Sequence, residues 1–299
     1  MAMNKGLLLV LLTAIISGVS IFLNAFGVKG FDSSVFTFAK NIIVALLLFG
    51  IILGFKQWNN LKKLSKKQWL QLGAIGLIGG SIPFLLFFQG LQLTTGTTSA
   101  FIHKTLFVFA SVFALFFLKE KLNKGFIIGA ALLLIGNFII LSPDFALSIG
   151  HLLIVGATAF WALENTISKK ILEKTTGSIV AFGRLFFGSL FILIFLFVTG
   201  KTGAIFAMTG AQYLWILATA GFLLLYVTTY YNGLKHVRVS TATSLLAVGS
   251  PITMILGWLF LGNGLPLLSI IGVIIIITGV FSIVWYKGVK NMSVMHERN

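Results

Sequence analysis

GLLLVLLTAIISGVSIFLNAF, residues Gly6 to Phe26, is an uncharged apolar run long enough to cross a bilayer core, which takes roughly 20 residues of helix. Its polar residues are not scattered. Thr13, Ser17, Ser20 and Asn24 recur at i, i+4, i+7 and i+11, which is one face of a helix. A polar side chain turned toward lipid is costly, so that face is expected to turn inward against further helices. Nine more runs follow, at Ser34 to Phe55, Leu70 to Leu91, Thr98 to Leu118, Gly125 to Leu141, Leu152 to Ile167, Ile179 to Thr199, Leu214 to Gly233, Ala242 to Leu261 and Leu267 to Tyr286. The expected fold is an all-α integral membrane protein of ten transmembrane helices, with no spare soluble domain.

Composition excludes the main alternatives. With 58% hydrophobic and 9% charged residues, the chain is too apolar for a soluble domain of its length. Alternating strand patterns are absent, which argues against a transmembrane barrel. The chain has no cysteine, so disulfides and thiolate chemistry are excluded, and its 4 histidines lack metal-ligand spacing. Neither cofactor nor metal is expected.

The net charge of +16 would suggest nucleic acid in a soluble protein, but here the basic residues crowd into alternate loops. With the amino terminus inside, seventeen of the 22 lysines and arginines fall on inner segments, against Lys29 and Lys201 outside and Lys40, Lys104 and Arg184 within spans. Basic loops resist translocation, so both termini are expected in the cytoplasm and the protein in the cytoplasmic membrane. The expected partners are a small-molecule substrate and membrane lipid, not nucleic acid. The loop from Lys56 to Lys67 also carries Trp58 and Trp69 flanking its lysines, a pattern suited to the headgroup layer.

The two halves, 1–144 and 145–299, match in register. A shift of 144 places Lys40 on Arg184 and Ser17-Gly18 on Trp161-Ala162; a shift of 143 places Gln89-Gly90-Leu91 on Asn232-Gly233-Leu234. Five crossings per half is an odd number, so the second copy must be inverted relative to the first. Inverted repeats supply two nearly equivalent packings around a midplane site, as alternating access requires. The same shift carries the polar face of the first span onto Ala157, Trp161, Glu164 and Ser168 of the sixth.

These features resemble the drug/metabolite transporter superfamily, in its ten-helix branch of two EamA-type domains. The resemblance rests on Ser17-Gly18 and Trp161-Ala162 in the first helix of each half and on the basic residues Lys40 and Arg184 in the second. It rests also on the stretch from Thr241 through Pro251 and on Glu120 at a helix end; Phe107 stands at the proline position of the first half, and Asn263-Gly264 replaces the acid in the second. The resemblance implies export or exchange of small metabolites, amino acids among them.

Lys104, about seven residues into the fourth span, is costly to insert and calls for a partner. Glu164 is the acid inside a span and thus the natural counter-charge or proton-coupling site. A cavity with Lys104 toward one side and Glu164 toward the other suits a zwitterion, so an amino acid is the expected substrate. Trp161, Asn165, Tyr226, Tyr230 and His103 are further candidates for its lining, with Ser17, Ser20 and Asn24 from the first span; helix packing competes for each. Pro83 and Pro251 interrupt helical hydrogen bonding and are candidate gates. Lys40 and Arg184 each lie about six residues into a span and are read as anchors reaching the outer interface. A secondary transporter is the expected function. Export of nucleobases, polyamines or lipophilic drugs is the alternative within that class, and a channel or an intramembrane enzyme the alternatives outside it.

Overall fold

The computed structural model describes residues 5–27, 32–143, 148–262 and 264–296, with side chains for all of these but 25, 27 and 286–296. Lys29, Asn263, Arg298 and the expected boundary between residues 144 and 145 lie outside the described residues, as do the side chains of Tyr286, Lys287 and Lys290.

The first half folds as α1 (Lys5–Gly27), α2 (Ser33–Gly54), a short α3 (Trp58–Lys62), α4 (Lys66–Gly80), α5 (Ile82–Gln92), α6 (Gly96–Lys104), α7 (Leu106–Leu118) and α8 (Lys124–Leu141). The second folds as α9 (Ile149–Leu172), α10 (Gly177–Val198), a short α11 (Gly203–Phe206), α12 (Gly210–Leu234), α13 (Val239–Leu245), a 3₁₀ turn at Leu246–Val248, α14 (Gly249–Leu261) and α15 (Leu267–His296). The architecture is all-α, with no strand among the described residues. Among the described residues, nine stretches are long and apolar enough to cross a membrane. The remaining crossing is α9, 24 residues long but more polar, carrying His151, Glu164, Lys169 and Lys170. It tolerates those groups because most of its length is packed inside the bundle.

Three spans are split. α4 and α5 divide at Ser81, just before Pro83; α13 and α14 divide at the 3₁₀ turn, just before Pro251; α6 and α7 divide at Thr105, where no proline or glycine foretells it. Irregular backbone at membrane depth is tolerated only inside protein or beside a cavity, so the three breaks mark the interior of the bundle.

The repeat is built into the packing. Helices α8 and α15 cross where a Cβ on Gly129 would overlap the Gly279 carbonyl and one on Gly272 would press on the Gly136 carbonyl at 3.0 Å. Positions 272 and 279 are 129 and 136 advanced by 143, so each member of one contact is the repeat partner of a member of the other. That reciprocity is the signature of a two-fold axis. The same relation links Gly6 of α1, closely packed on Gly233 of α12, to Gly150 of α9, packed on Gly90 of α5. Each half therefore lays its first span against the third span of the other. Matching capping boxes open α4 and α12: Ser65 with Gln68, and Thr209 with Gln212, 144 residues on.

The lysine-bearing loops gather at one end. The Thr176 hydroxyl donates to Gln57 Oε1 (2.8 Å), Lys235 Nζ to the Thr175 carbonyl (2.9 Å) and Arg238 to the Lys121 carbonyl (2.8 Å). At the other end Lys201 pairs with Asp32 at 2.7 Å. Burial alone would raise the Asp32 carboxyl, but hydrogen bonds from Lys201 and from the Ser34 and Val35 amides, with the lysine charge, hold it below its ordinary value.

Candidate substrate site

Pro83 has no N–H, and the carbonyl it would have served four residues back is that of Gly79. The freed oxygen accepts three side-chain donors: Arg184 Nε at 3.3 Å, Arg184 Nη2 at 3.2 Å and Trp161 Nε1 at 3.0 Å. One helix break thus fixes two residues from two other helices. Gly79 has no room for a side chain, since a Cβ there would overlap Glu164 Cγ.

Glu164 is fully buried, and its Oε1 accepts from the Ser168 hydroxyl at 2.5 Å and the Tyr231 hydroxyl at 2.6 Å. Its Oε2 lies 3.7 Å from Arg184 Nη1, which also donates to the Tyr231 hydroxyl at 3.0 Å. A buried carboxylate without a cation would be prohibitive, and the guanidinium supplies one. Glu164, read from the sequence as the counter-charge of Lys104 or of a substrate ammonium group, is here the counter-charge of Arg184. Nor does Arg184 reach an outer interface. Its helix starts at the lysine-bearing end, beside Gln57, because the inverted repeat turns the position that is outer in α2 into one near the opposite face in α10.

Lys104 stands apart from that cluster. Its ammonium donates one long hydrogen bond, 3.4 Å, to the Leu246 carbonyl at the 3₁₀ turn, and it lies against Gly249 beside α1. Among the described residues it has no carboxylate partner. Its neighbour His103 points roughly 100° away around the helix axis, with its ring 5.0 Å from Trp161 and 5.7 Å from Phe87. Phe84 and Phe87 complete an aromatic wall at 5.2 and 5.6 Å from the indole. On α12, Tyr226 and Tyr230 stack at 5.7 Å, and Tyr230 leaves its buried hydroxyl without a partner. Asn165 likewise keeps Oδ1 unpartnered, its amide donating to the Trp161 carbonyl.

The polar face of α1 divides by depth. Ser17 and Ser20 are half-buried, and Asn24 donates to the Ser20 carbonyl and accepts from Lys40 at 3.4 Å. Thr13 bonds Thr229 of α12 at 2.8 Å. Pro251 lies inside α14, and its break falls upstream, at the turn holding Lys104. The sequence reading missed Phe84, Phe87, Tyr231 and the Gly79 carbonyl. Of these, only the carbonyl was recoverable, by counting four residues back from Pro83.

A model of the EamA-like transporter family matches residues 4–142 and again 148–285. The chain belongs to the EamA-like transporter family. Relatives include an uncharacterized transporter of Clostridium kluyveri, 29% identical over 238 residues, spanning 76% of this chain and 75% of that protein. The riboflavin transporter ImpX of Fusobacterium nucleatum is 23% identical over 258 residues, spanning 81% of this chain and 85% of its own. A solved crystal structure superimposes with a TM-score of 0.77 over 94% of this chain and 98% of its own, at 14% identity, a likeness of fold alone. This EamA-family chain is a multi-pass membrane transporter and not an enzyme.

Proposed function

We propose that this EamA-family protein is a secondary transporter working by alternating access, and that it carries an amino acid with an aromatic side chain. The observation that carries the reading is Lys104, a half-buried cation with no carboxylate partner among the described residues, next in sequence to a histidine in an aromatic wall. A substrate carboxylate would meet the ammonium in a charge-assisted bond. A planar ring would lie along Trp161 and Phe87. Because Glu164 is committed to Arg184, the substrate ammonium is assigned to aromatic faces and to the neutral acceptors Asn165 Oδ1 and Tyr230 OH.

A flavin is the second reading, favoured by the same aromatic wall and by the name of the Fusobacterium relative. Counterflow into proteoliposomes, with labelled amino acids, riboflavin and a polyamine, separates the two. Saturable exchange of phenylalanine, tyrosine or tryptophan that Lys104→Met abolishes is the expected result; exchange confined to riboflavin would replace it. An imposed pH gradient in the same vesicles tests proton coupling through Glu164.

The basic loops support placement in the cytoplasmic membrane with both termini inside. Since the chain has no cysteine, single cysteines at Lys63 and Lys201 test it directly. An impermeant maleimide added to intact cells should label position 201 and spare position 63.

A further inference from the structure

At the lysine-bearing end two adjoining crevices open, about 520 and 380 Å³ in volume. The first lies between the start of α4, the end of α7 and the end of α9, and presents Lys67, Lys119 and Lys170. The second lies between α3 and the turn joining α9 to α10, and presents Lys63 and Lys235. Gln68, Glu173 and Lys174 line both. Glu173 is the one acid among the lining residues.

Positive loops on one face of a membrane protein set its orientation, and that accounts for the number of lysines here. It does not account for their arrangement around a concavity whose walls come from both halves of the chain. Nor does it account for Thr175, which lines the second crevice, is 7% exposed and leaves its hydroxyl without a partner. A buried donor left unpaired is costly, and this hydroxyl, with under 1 Å² of accessible surface, gains an acceptor from a bound anion where the crevice wall gives locally on binding. Depth narrows the acceptor's source. The second crevice adjoins α3, whose Trp58 lies under Lys62 Nζ at 5.2 Å, the amphipathic pairing that suits the headgroup layer.

We infer that the second crevice binds a phosphate-bearing anion, held by Lys63, Lys174 and Lys235 with the Thr175 hydroxyl as its buried donor. The phosphate of an anionic phospholipid and free phosphate present the same chemistry. Occupancy would tie the α3–α4 segment of the first half to the α9–α10 turn of the second, at the end where the α7–α8 loop also meets Arg238.

The test is thermal unfolding of the full chain in detergent, titrated with phosphatidylglycerol, with phosphatidylcholine and with inorganic phosphate. The comparison is between the parent, the triple variant Lys63→Gln, Lys174→Gln, Lys235→Gln, and an equal-charge control, Lys62→Gln, Lys66→Gln, Lys124→Gln. Phosphatidylglycerol is expected to raise Tm in the parent and the control but not in the crevice variant, with apparent affinity falling about fivefold per lysine removed. Stabilisation by inorganic phosphate alone, lost in the same variant, would assign the site to a soluble anion. Equal responses of the two triple variants would overturn the site. Thr175→Val adds a finer reading: if the hydroxyl donates to the anion, affinity falls about fivefold, whereas an idle orphan leaves affinity unchanged.

Discussion

Lys40 and Arg184 occupy the same place in the two halves, 144 residues apart, yet the protein uses them differently. Lys40 passes over the Phe36 ring at 4.7 Å and donates one 3.4 Å hydrogen bond to Asn24. Arg184 makes two bonds to the Gly79 carbonyl, one to Tyr231, and faces the buried carboxylate of Glu164 at 3.7 Å. The partner positions correspond as well, since Ser20 and Asn24 become Glu164 and Ser168. The repeat keeps the position of the cation and the face it meets. The second copy has a carboxylate there and the first has neutral groups, so one half has an ionic knot and the other a loose polar contact.

The largest consequence is for stability. Arg184→Met leaves Glu164 buried without a cation and should cost about 3 to 5 kcal/mol in thermal or denaturant unfolding, while adding Glu164→Gln should recover much of it. Lys40→Met orphans no charge and should stay within about 1 kcal/mol of the parent. Equal losses at the two positions would end the comparison.

Transport should discriminate between the cations differently. Lys104→Met should lower kcat/KM for counterflow about tenfold or more, because a hydrogen bond to a charged group is worth about 1.5 to 3 kcal/mol. Lys40→Met should change kcat/KM less than twofold. A reversed order would move the substrate site into the first half's outer polar cluster.

Smaller effects should follow from the Gly79 carbonyl. Pro83→Ala supplies the missing N–H, which competes with Arg184 and Trp161 for that oxygen and should raise KM about fivefold, the value of one hydrogen bond. Trp161→Phe keeps the ring and removes one donor, and should do less. If Pro83→Ala leaves KM alone, the ionic knot does not position the aromatic wall.

The smallest effect belongs to the opposite end. Asp32 has its carboxyl held below the ordinary 3.8, so the stability it contributes is complete above that pH and is lost as pH falls through its folded value. The contribution is about 1 kcal/mol or less for so exposed a pair. Asp32→Asn should lower stability near neutral pH by that small amount and flatten the acid-side slope of the unfolding curve, so that parent and variant converge at acid pH.

Much of the fold was legible because lipid imposes simple rules. Apolar runs such as Gly6 to Phe26 state their own length, and the offset linking Lys40 to Arg184 exposes the repeat. The site was less legible. Lys104 and Glu164 were visible as costly charges, but not their partners, because Arg184 was assigned to the wrong face. Tracking the inversion through the seventh crossing would have put Arg184 and Glu164 at similar depth. The break at Thr105 carries no such signal: its hydroxyl bonds the Ile102 carbonyl within an ordinary run of residues.

By itself the sequence determined the number of crossings, the two-fold design and which residues are too polar to meet lipid. These follow from local composition and chain order, and from the cost of placing polar groups in hydrocarbon. Only the tertiary structure decided that Glu164 belongs to Arg184 and that Lys104 rests on a turn of α13–α14. Those choices depend on which carbonyls the helix breaks release and how closely glycine lets helices approach, and both are properties of pairs of helices that no single span contains.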